Sequence, residues 1–385
     1  MQFLQGMFKM KKQKKVYLDN AATTPLDKEV LKEMLPFLRE KYGNPSSIHS
    51  LGQEAKKAIE KARKQVAKLI NAEPDEIIFT SCGTEANNLA LKGIDTARVF
   101  TSSIEHAAVL ETARSLEKPL EILSVDRFGI INMTGFRLGI TKNALVSIMH
   151  VNNEIGTIQP IEEIAGICKA NNCIFHTDAV QSLGKIPIDV KKLGIDMLSG
   201  SGHKINGPKG VGFLYIKKEL KTKLQPLLNG GGQESGLRSG TENVAGIVAL
   251  GKACELAGKK MKQSPEILKL RDFMLQELLE IPGIKVNGSS DKRIFNNINI
   301  SIKDIEGEAL VLMLNEQGIA CSTASACTSL SHHHSHVLKA IGLPQEEIHG
   351  TIRISLGYQT TKREIDYTIT KLKENIIKLR KISGK

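Results

Sequence analysis

The sequence predicts an α/β protein: a large domain with a mainly parallel, seven-stranded-type sheet between helices, and a smaller α+β C-terminal domain. Three observations carry this. Helical and strand-like patterns alternate through the first two-thirds of the 385 residues. The strand-like runs are short, apolar and rich in β-branched residues, as strands covered on both faces are. After about Lys260 the character changes, with a long helical pattern, two strand-like runs and a terminal helix.

Residues 1–15, MQFLQGMFKMKKQKK, place Lys11, Lys12, Lys14 and Lys15 ahead of the first strand-like run and read as a basic N-terminal arm. Helical spacing predicts helices over 29–40 and 52–71. Residues 76–80, EIIFT, predict a strand running into SCGTEANNLALKG, a tight glycine turn and a helix start. Further buried strands are predicted over 145–149, 173–177 and 212–216. These elements assign 16–258 to the large domain. Residues 259–385 form the small one, with a helix over 265–281, strands over 296–302 and 351–355, and a final helix over 362–382. In IRISL, the period of two turns Arg353 to the face opposite its β-branched neighbours.

Composition sets outer bounds. The chain is 41% hydrophobic and 24% charged, ordinary for a soluble globular protein. Residues 1–15 hold no apolar run of signal-peptide length, and no stretch approaches the ~18 apolar residues of a membrane span. The expectation is a cytoplasmic protein with no membrane association. Six cysteines are scattered without a CxxC pair, which excludes a zinc-finger or thioredoxin-type motif and leaves most of them as small core hydrophobes. The net charge of +12 suits an acidic partner or RNA, but a lysine-rich solvated surface accounts for it more simply. With no Trp and 4% aromatic residues there is no base-stacking platform, and direct nucleic-acid binding is not expected.

Three constellations carry chemistry. Gly83-Thr84 stands after a strand at a helix start, where free N–H groups and the helix dipole favour an anion; many such junctions bind nothing. Asp178, in TDAVQ, ends an apolar strand at the carboxyl edge of the sheet, where α/β proteins place ligands. From that stretch alone, a helix N-cap is the stronger reading. Lys204, in SGSGHKINGPKGVG, lies between His203 and an apolar residue in a Gly/Ser-rich turn, a setting for a Schiff-base lysine or a solvated loop lysine. This turn is no Walker loop, because Pro208 stands where that motif needs Lys. Together, an anion-binding helix start, a strand-end Asp and a pocket Lys are the parts that pyridoxal phosphate requires.

The set resembles the cysteine desulfurases of the NifS/IscS type, in the class V aminotransferase group of fold-type I pyridoxal phosphate enzymes. The matching stretches run in family order: YLDNAATTP (17–25), YGNPSSIHS (42–50), TSCGTEANNLALKG (80–93), EHAAVL (105–110), MHVNNEIGTIQPI (149–161), HTDAVQSLGKIPID (176–189), SGSGHKINGPKGVG (199–212), GGGQESGLRSGTEN (230–243), SACTS (325–329) and IRISLG (352–357). The resemblance implies that Lys204 carries the cofactor, that Asp178 pairs with the pyridine nitrogen, and that Gln181 and Asn153 bond the ring hydroxyl region. Gly83, Thr84, Ser201, Gly202 and His203 hold the phosphate, and His106 stacks on the ring and acts as a catalytic residue that manages protons on the substrate thiol or ring. Thr241 reaches the phosphate from a neighbouring subunit, which implies a homodimer. Arg353 binds the substrate carboxylate as a bidentate fork, with Asn153 nearby.

Cys327 matches the nucleophile, whose thiolate attacks the sulfur of L-cysteine and keeps it as a persulfide, leaving L-alanine. Its Ser/Thr-rich surroundings resemble the long-loop group, which donates sulfur to iron–sulfur scaffold proteins and to tRNA thiolation. In relatives this cysteine also serves as a ligand of a cluster shared with a scaffold. Three departures stand out: Cys82-Gly83 in place of a small pair, a shortened segment between Gly93 and Thr101, and the run His332-His333-His334.

Within enzymes, the alternative is selenocysteine lyase or another class V enzyme such as an aminotransferase. Outside enzymes it is a metal- or RNA-binding module, prompted by the charge and by the i, i+4 spacing of His332 and His336.

Overall fold

The computed structural model describes residues 15–323 and 335–384. A short strand, β1 (Val16–Tyr17), is followed by two helices, α1 (Lys28–Arg39) and α2 (Ser50–Ile70). Strands and helices then alternate: β2 (Ile77–Thr80), α3 (Gly83–Gly93), β3 (Arg98–Ser102), α4 (Ala107–Arg114), β4 (Leu120–Leu123), α5 (Met133–Gly139), β5 (Ala144–Ser147), α6 (Ile161–Ala170), β6 (Ile174–Asp178), α7 (Val190–Leu193), β7 (Met197–Ser201) and β8 (Gly212–Ile216). Helices α8 (Val244–Lys260) and α9 (Ser264–Leu279) lead to β9 (Ile284–Val286), β10 (Asn297–Ile302), α10 (Gly307–Glu316), β11 (Ile319–Ala320) and β12 (Ser322–Thr323). The chain ends in α11 (His336–Ala340), α12 (Gln345–His349), β13 (Thr351–Ser355) and α13 (Lys362–Ile382).

The large sheet has seven strands in the order β2-β8-β7-β6-β5-β3-β4. Four neighbouring pairs are parallel, and β8 is antiparallel to both of its neighbours. Both faces are apolar, so alternate residues of one strand serve two cores. Phe100, Val146, Leu198 and Phe213 enter one core, while Val99, Leu145, Met197 and Leu214 enter the other. The outer edge of β2 is closed by side chains. Glu234 accepts from the Phe79 N–H at 2.9 Å, and Arg63 donates to the Ile77 carbonyl at 2.8 Å while forming a bidentate pair with Glu234.

The second sheet is antiparallel, in the order β12-β13-β10-β9. Ile298, Ile300, Ile302, Ile352 and Ile354 fill its core. The opposite face carries Asn297, Asn299, Ser355 and, as the alternation predicts, Arg353. The boundary at residue 16 needs correction. The sequence assigns everything from 16 to the large domain, but Val16 and Leu18 pack into the second core, because the main chain of β1 pairs in parallel with β11.

No helix among the described residues is long and apolar enough to cross a membrane. The cysteines described, Cys82, Cys168, Cys173, Cys254 and Cys321, are free, and all but Cys82 are buried.

Helix α2 packs on α8 with almost no separation at Gly251. A Cβ there would meet Ala62 Cα at 2.6 Å and Ala62 Cβ at 2.7 Å, whereas one at Gly258 of the same helix would meet only Leu69 Cδ1, at 3.6 Å. Gly251→Ala is expected to destabilise the protein by about 1–3 kcal/mol through overpacking. Gly258→Ala should stabilise it by up to about 1 kcal/mol through helix propensity. Equal midpoints for the two variants in urea denaturation would contradict the close helix contact.

Candidate active site

The parallel strands β6 and β7 end side by side, and their carboxyl ends open onto a cavity of about 200 Å³. The start of α3, the segment after β1, the turn after β7 and Arg353 of the second sheet complete its walls. Of the residues singled out in the sequence, Gly83, Thr84, His106, Asn153, Asp178, Gln181, Ser201, His203, Lys204 and Arg353 line this one cavity.

One end suits an anion. Helix α3 begins here with Cys82 as its cap, the thiol accepting from the Glu85 N–H at 3.5 Å. A Cβ on Gly83 would meet Val180 Cγ2 at 2.8 Å and Ser201 Cβ at 3.5 Å, so the missing side chain keeps the helix start open. The Ser201 hydroxyl is buried and has no hydrogen-bond partner among the described residues, a donor awaiting an acceptor. His203 Nδ1 lies 3.1 Å from the Thr23 hydroxyl. Burial, assisted by Lys204, Lys209 and Lys185, pushes the His203 imidazole down to about 4, so it is neutral near pH 7.

At the centre stands Asp178, buried at the end of β6. Its Oδ1 accepts from the Val180 N–H at 2.9 Å, but within a turn: no helix starts here, so Asp178 is not the helix N-cap that its stretch alone suggested. Its Oδ2 accepts from Asn87 Nδ2 at 2.6 Å. Asn87 is absent from the sequence-derived set. Its signal is a buried polar residue one turn beyond Gly83, on the α3 face shared with Ala86 and Ala90. Lys204 Nζ donates to the main-chain carbonyls of Ala21 and Ala22, at 2.6 and 2.7 Å. Gln181 Nε2 donates to the same Ala21 carbonyl at 2.9 Å.

The far wall holds Arg353, almost wholly buried. The fork expected to be free for a substrate is partly engaged: Nη2 pairs with Asp19 Oδ1 at 2.9 Å, and Nη1 donates to the Asn153 carbonyl at 3.0 Å. Only Nε is buried without a partner among the described residues. His106 caps α4 and its Nδ1 accepts from the Ala108 N–H at 3.0 Å, which leaves Nε2 to carry the ring proton. Two buried carboxyls back this wall. Burial raises Glu154 to about 7, while its Oε2 accepts from the Ser335 hydroxyl at 2.5 Å. Burial raises Glu105 to about 8, with Asp178 adding to the effect.

Two expected residues are not brought to the cavity. Gly202 is buried beneath the turn, its N–H donating to the Val211 carbonyl, where a Cβ would press on the Pro208 carbonyl at 3.1 Å. Thr241 is exposed and lines a separate surface cavity with Arg238 and Glu234. Cys327 and the run His332–His334 lie outside the described residues. Among the described residues, no cluster of His, Cys, Asp and Glu is arranged to hold a metal ion.

The residues present fit pyridoxal phosphate. The unpartnered Ser201 hydroxyl and the open start of α3 suit a phosphate, the anchored Asp178 carboxylate suits a pyridinium, and Lys204 stands between them.

A family model for class-V aminotransferases matches residues 16–368. The chain is 50% identical to the cysteine desulfurase IscS of Dictyoglomus turgidum over 382 residues, covering 96% of each chain. It is 51% identical to the cysteine desulfurase IscS of Methanosarcina thermophila over 381 residues, covering 96% of this chain and 94% of that one. Among solved structures it is similar to a NifS-like protein with a TM-score of 0.88 and 40% identity, covering 94% of this chain and 99% of that one. A NifS-like protein from Rickettsia africae gives a TM-score of 0.87 at 33% identity, covering 95% of this chain and 100% of that one.

The state of Glu105 has a measurable consequence. Its carboxyl accepts from the Ser102 hydroxyl at 2.6 Å and from the Met149 N–H at 3.0 Å, yet it keeps its proton to about pH 8, whereas an unfolded glutamate releases it near 4.5. Between those values the native state binds the extra proton, so its contribution to stability falls as pH rises. Glu105→Gln should flatten the decline in stability between about pH 4.5 and 8 by up to one proton per molecule unfolded. Thermal denaturation across that range checks this, and parallel curves for the two proteins would contradict it.

Proposed function

Since the chain belongs to the class-V aminotransferase family and stands among its cysteine desulfurases, we propose that it takes the sulfur of L-cysteine onto Cys327 as a persulfide and releases L-alanine. The observation that carries this reading is the convergence of Asp178, Arg353 and the pair Ser201 and Lys204, from three separate segments, on one cavity. Bound pyridoxal phosphate supplies a ring that withdraws electrons from the substrate's Cα.

The chain's residues divide the work. Gly83, Thr84, Ser201 and His203 would hold the phosphate, and neutral His203 donates or accepts there without adding charge. Asp178, fixed by Asn87 and Val180, would keep the pyridine nitrogen protonated. Gln181 and Asn153 bound the ring's hydroxyl side, and His106 covers its face. Lys204 would hold the cofactor, and once released its Nζ takes the proton from the substrate's Cα. Arg353 receives the substrate carboxylate beside Asp19. The Cys327 thiolate then attacks the substrate sulfur: an S–S bond forms, the Cβ–S bond breaks, and its electron pair stays with carbon and is protonated. The step needs no external oxidant.

Thr241, exposed and outside the lining of its own chain's cavity, supports a homodimer in which it serves the other subunit's phosphate end. The persulfide acceptor we propose is an iron–sulfur scaffold protein or a tRNA-thiolation partner.

With L-cysteine, the holoenzyme should gain the mass of one sulfur atom at Cys327 and release alanine. Cys327→Ala should keep its cofactor absorbance while alanine formation falls at least about a thousandfold. Full turnover by that variant would overturn the assignment. Asp178→Ala should lose most of its bound pyridoxal phosphate after dialysis, as read by absorbance. Retention at the wild-type level would remove Asp178 from the cofactor site.

A further inference from the structure

Lys185 has no part in the site as described, yet it lies directly behind it. Its side chain is buried, with the residue 8% exposed, and it makes one hydrogen bond among the described residues, donating from Nζ to Gln181 Oε1 at 3.2 Å. Burial above all, with the cations Lys204 and Arg353 adding to it, pushes its amine down to about 7. On its other side is a small cavity of about 20 Å³, room for one water, bordered by Lys204, Lys260 and Tyr358. Among the described residues no carboxylate lines that cavity, and Lys260 is paired with Asp27 at 2.6 Å. A buried lysine without a counterion lowers stability, so its contact with Gln181 invites a functional account.

The bonds around Gln181 form a directed chain. A main-chain carbonyl accepts and cannot donate, while a lysine amine can donate whether charged or neutral. The oxygen of the Gln181 amide must therefore face Lys185, and its nitrogen must face Ala21, whose carbonyl also receives Lys204 Nζ. Both ends are met by the same orientation. Gln181 lines the cofactor cavity, and with its oxygen committed to Lys185 it has only N–H to offer there.

We infer that Lys185 is a positioning residue that locks the Gln181 amide, so that the ring oxygen of bound pyridoxal phosphate meets a hydrogen-bond donor and never an acceptor. The inference rests on the cofactor assignment above and adds to it the residue that sets the polarity of one wall. A donor and a nearby cation both favour negative charge on that oxygen, so they lower the pH at which the bound chromophore gives up its proton.

The test is a pH titration of the visible absorbance of holoenzyme without substrate, comparing wild type, K185M, Q181L and the double variant. Methionine is close to lysine in length and removes a buried charge, so the K185M fold should be kept, with an equal or higher melting temperature. K185Q is the second variant should K185M fail to fold. The titration midpoint of K185M, or of K185Q, should rise by about one pH unit. Q181L should move the same way, and the double variant no further than the larger single change. If the wild type titrates and the Lys185 variant has the same midpoint, or if the two single shifts add in full, the inference fails while the functional reading stands. A wild type that takes up no pyridoxal phosphate overturns both.

Discussion

Arg353 joins the two halves of the molecule, bonding the Asn153 carbonyl on one side and Asp19 on the other, and the segment that carries Asp19 acts as a clasp. Val16 and Leu18 are held in the second core. Asn20 and Ala21 then bond to the main chain and hydroxyl of Ser355 at the end of β13. Thr24 turns the other way, pairing with the His203 carbonyl and the Asn206 N–H beside β7. Between these anchors the carbonyls of Ala21 and Ala22 are fixed facing Lys204. One stretch of backbone thus sets the distance between the sheets, the position of the lysine and the partner of the arginine.

Around the clasp the electrostatics are lopsided. Lys204, Lys185 and Arg353 crowd one region with Asp178 and Asp19, while two further buried carboxyls, Glu105 and Glu154, are raised by burial and hold their protons further up the pH scale than exposed glutamates do. The carboxyls act mainly as hydrogen-bond acceptors for Ser102, Met149 and Ser335. Beyond Asp178 and Asp19, anionic charge is left to be supplied by whatever enters the cavity, which suits a phosphate at one end and a carboxylate at the other.

The sheet was legible because its strands are short apolar runs that alternate with helices, and buried parallel strands admit little else. Asp178 and Lys204 were legible for a related reason: each sits where a strand ends, the position from which an α/β fold presents ligands. The facing of Arg353 followed from the period of two. What the sequence hid was partnership. Asp19 meets Arg353 across 334 residues of chain, and Lys204 meets Ala21 across 183. Main-chain carbonyls have no residue type to betray them. The placement of β1 failed for the same reason, since two residues of strand reveal nothing about which distant edge they will join.

The pairing of Arg353 changes what recognition at that position means. Binding there is an exchange. An incoming carboxylate does not meet a bare cation but must share or displace one that Asp19 already satisfies, so its net gain is the difference between two similar contacts. Chloride or acetate, bringing charge and nothing more, has little to win. A ligand that also reaches other groups of the cavity wall adds those contacts to the exchange. The pairing therefore puts simple anions at a disadvantage against ligands that make a second contact in the cavity.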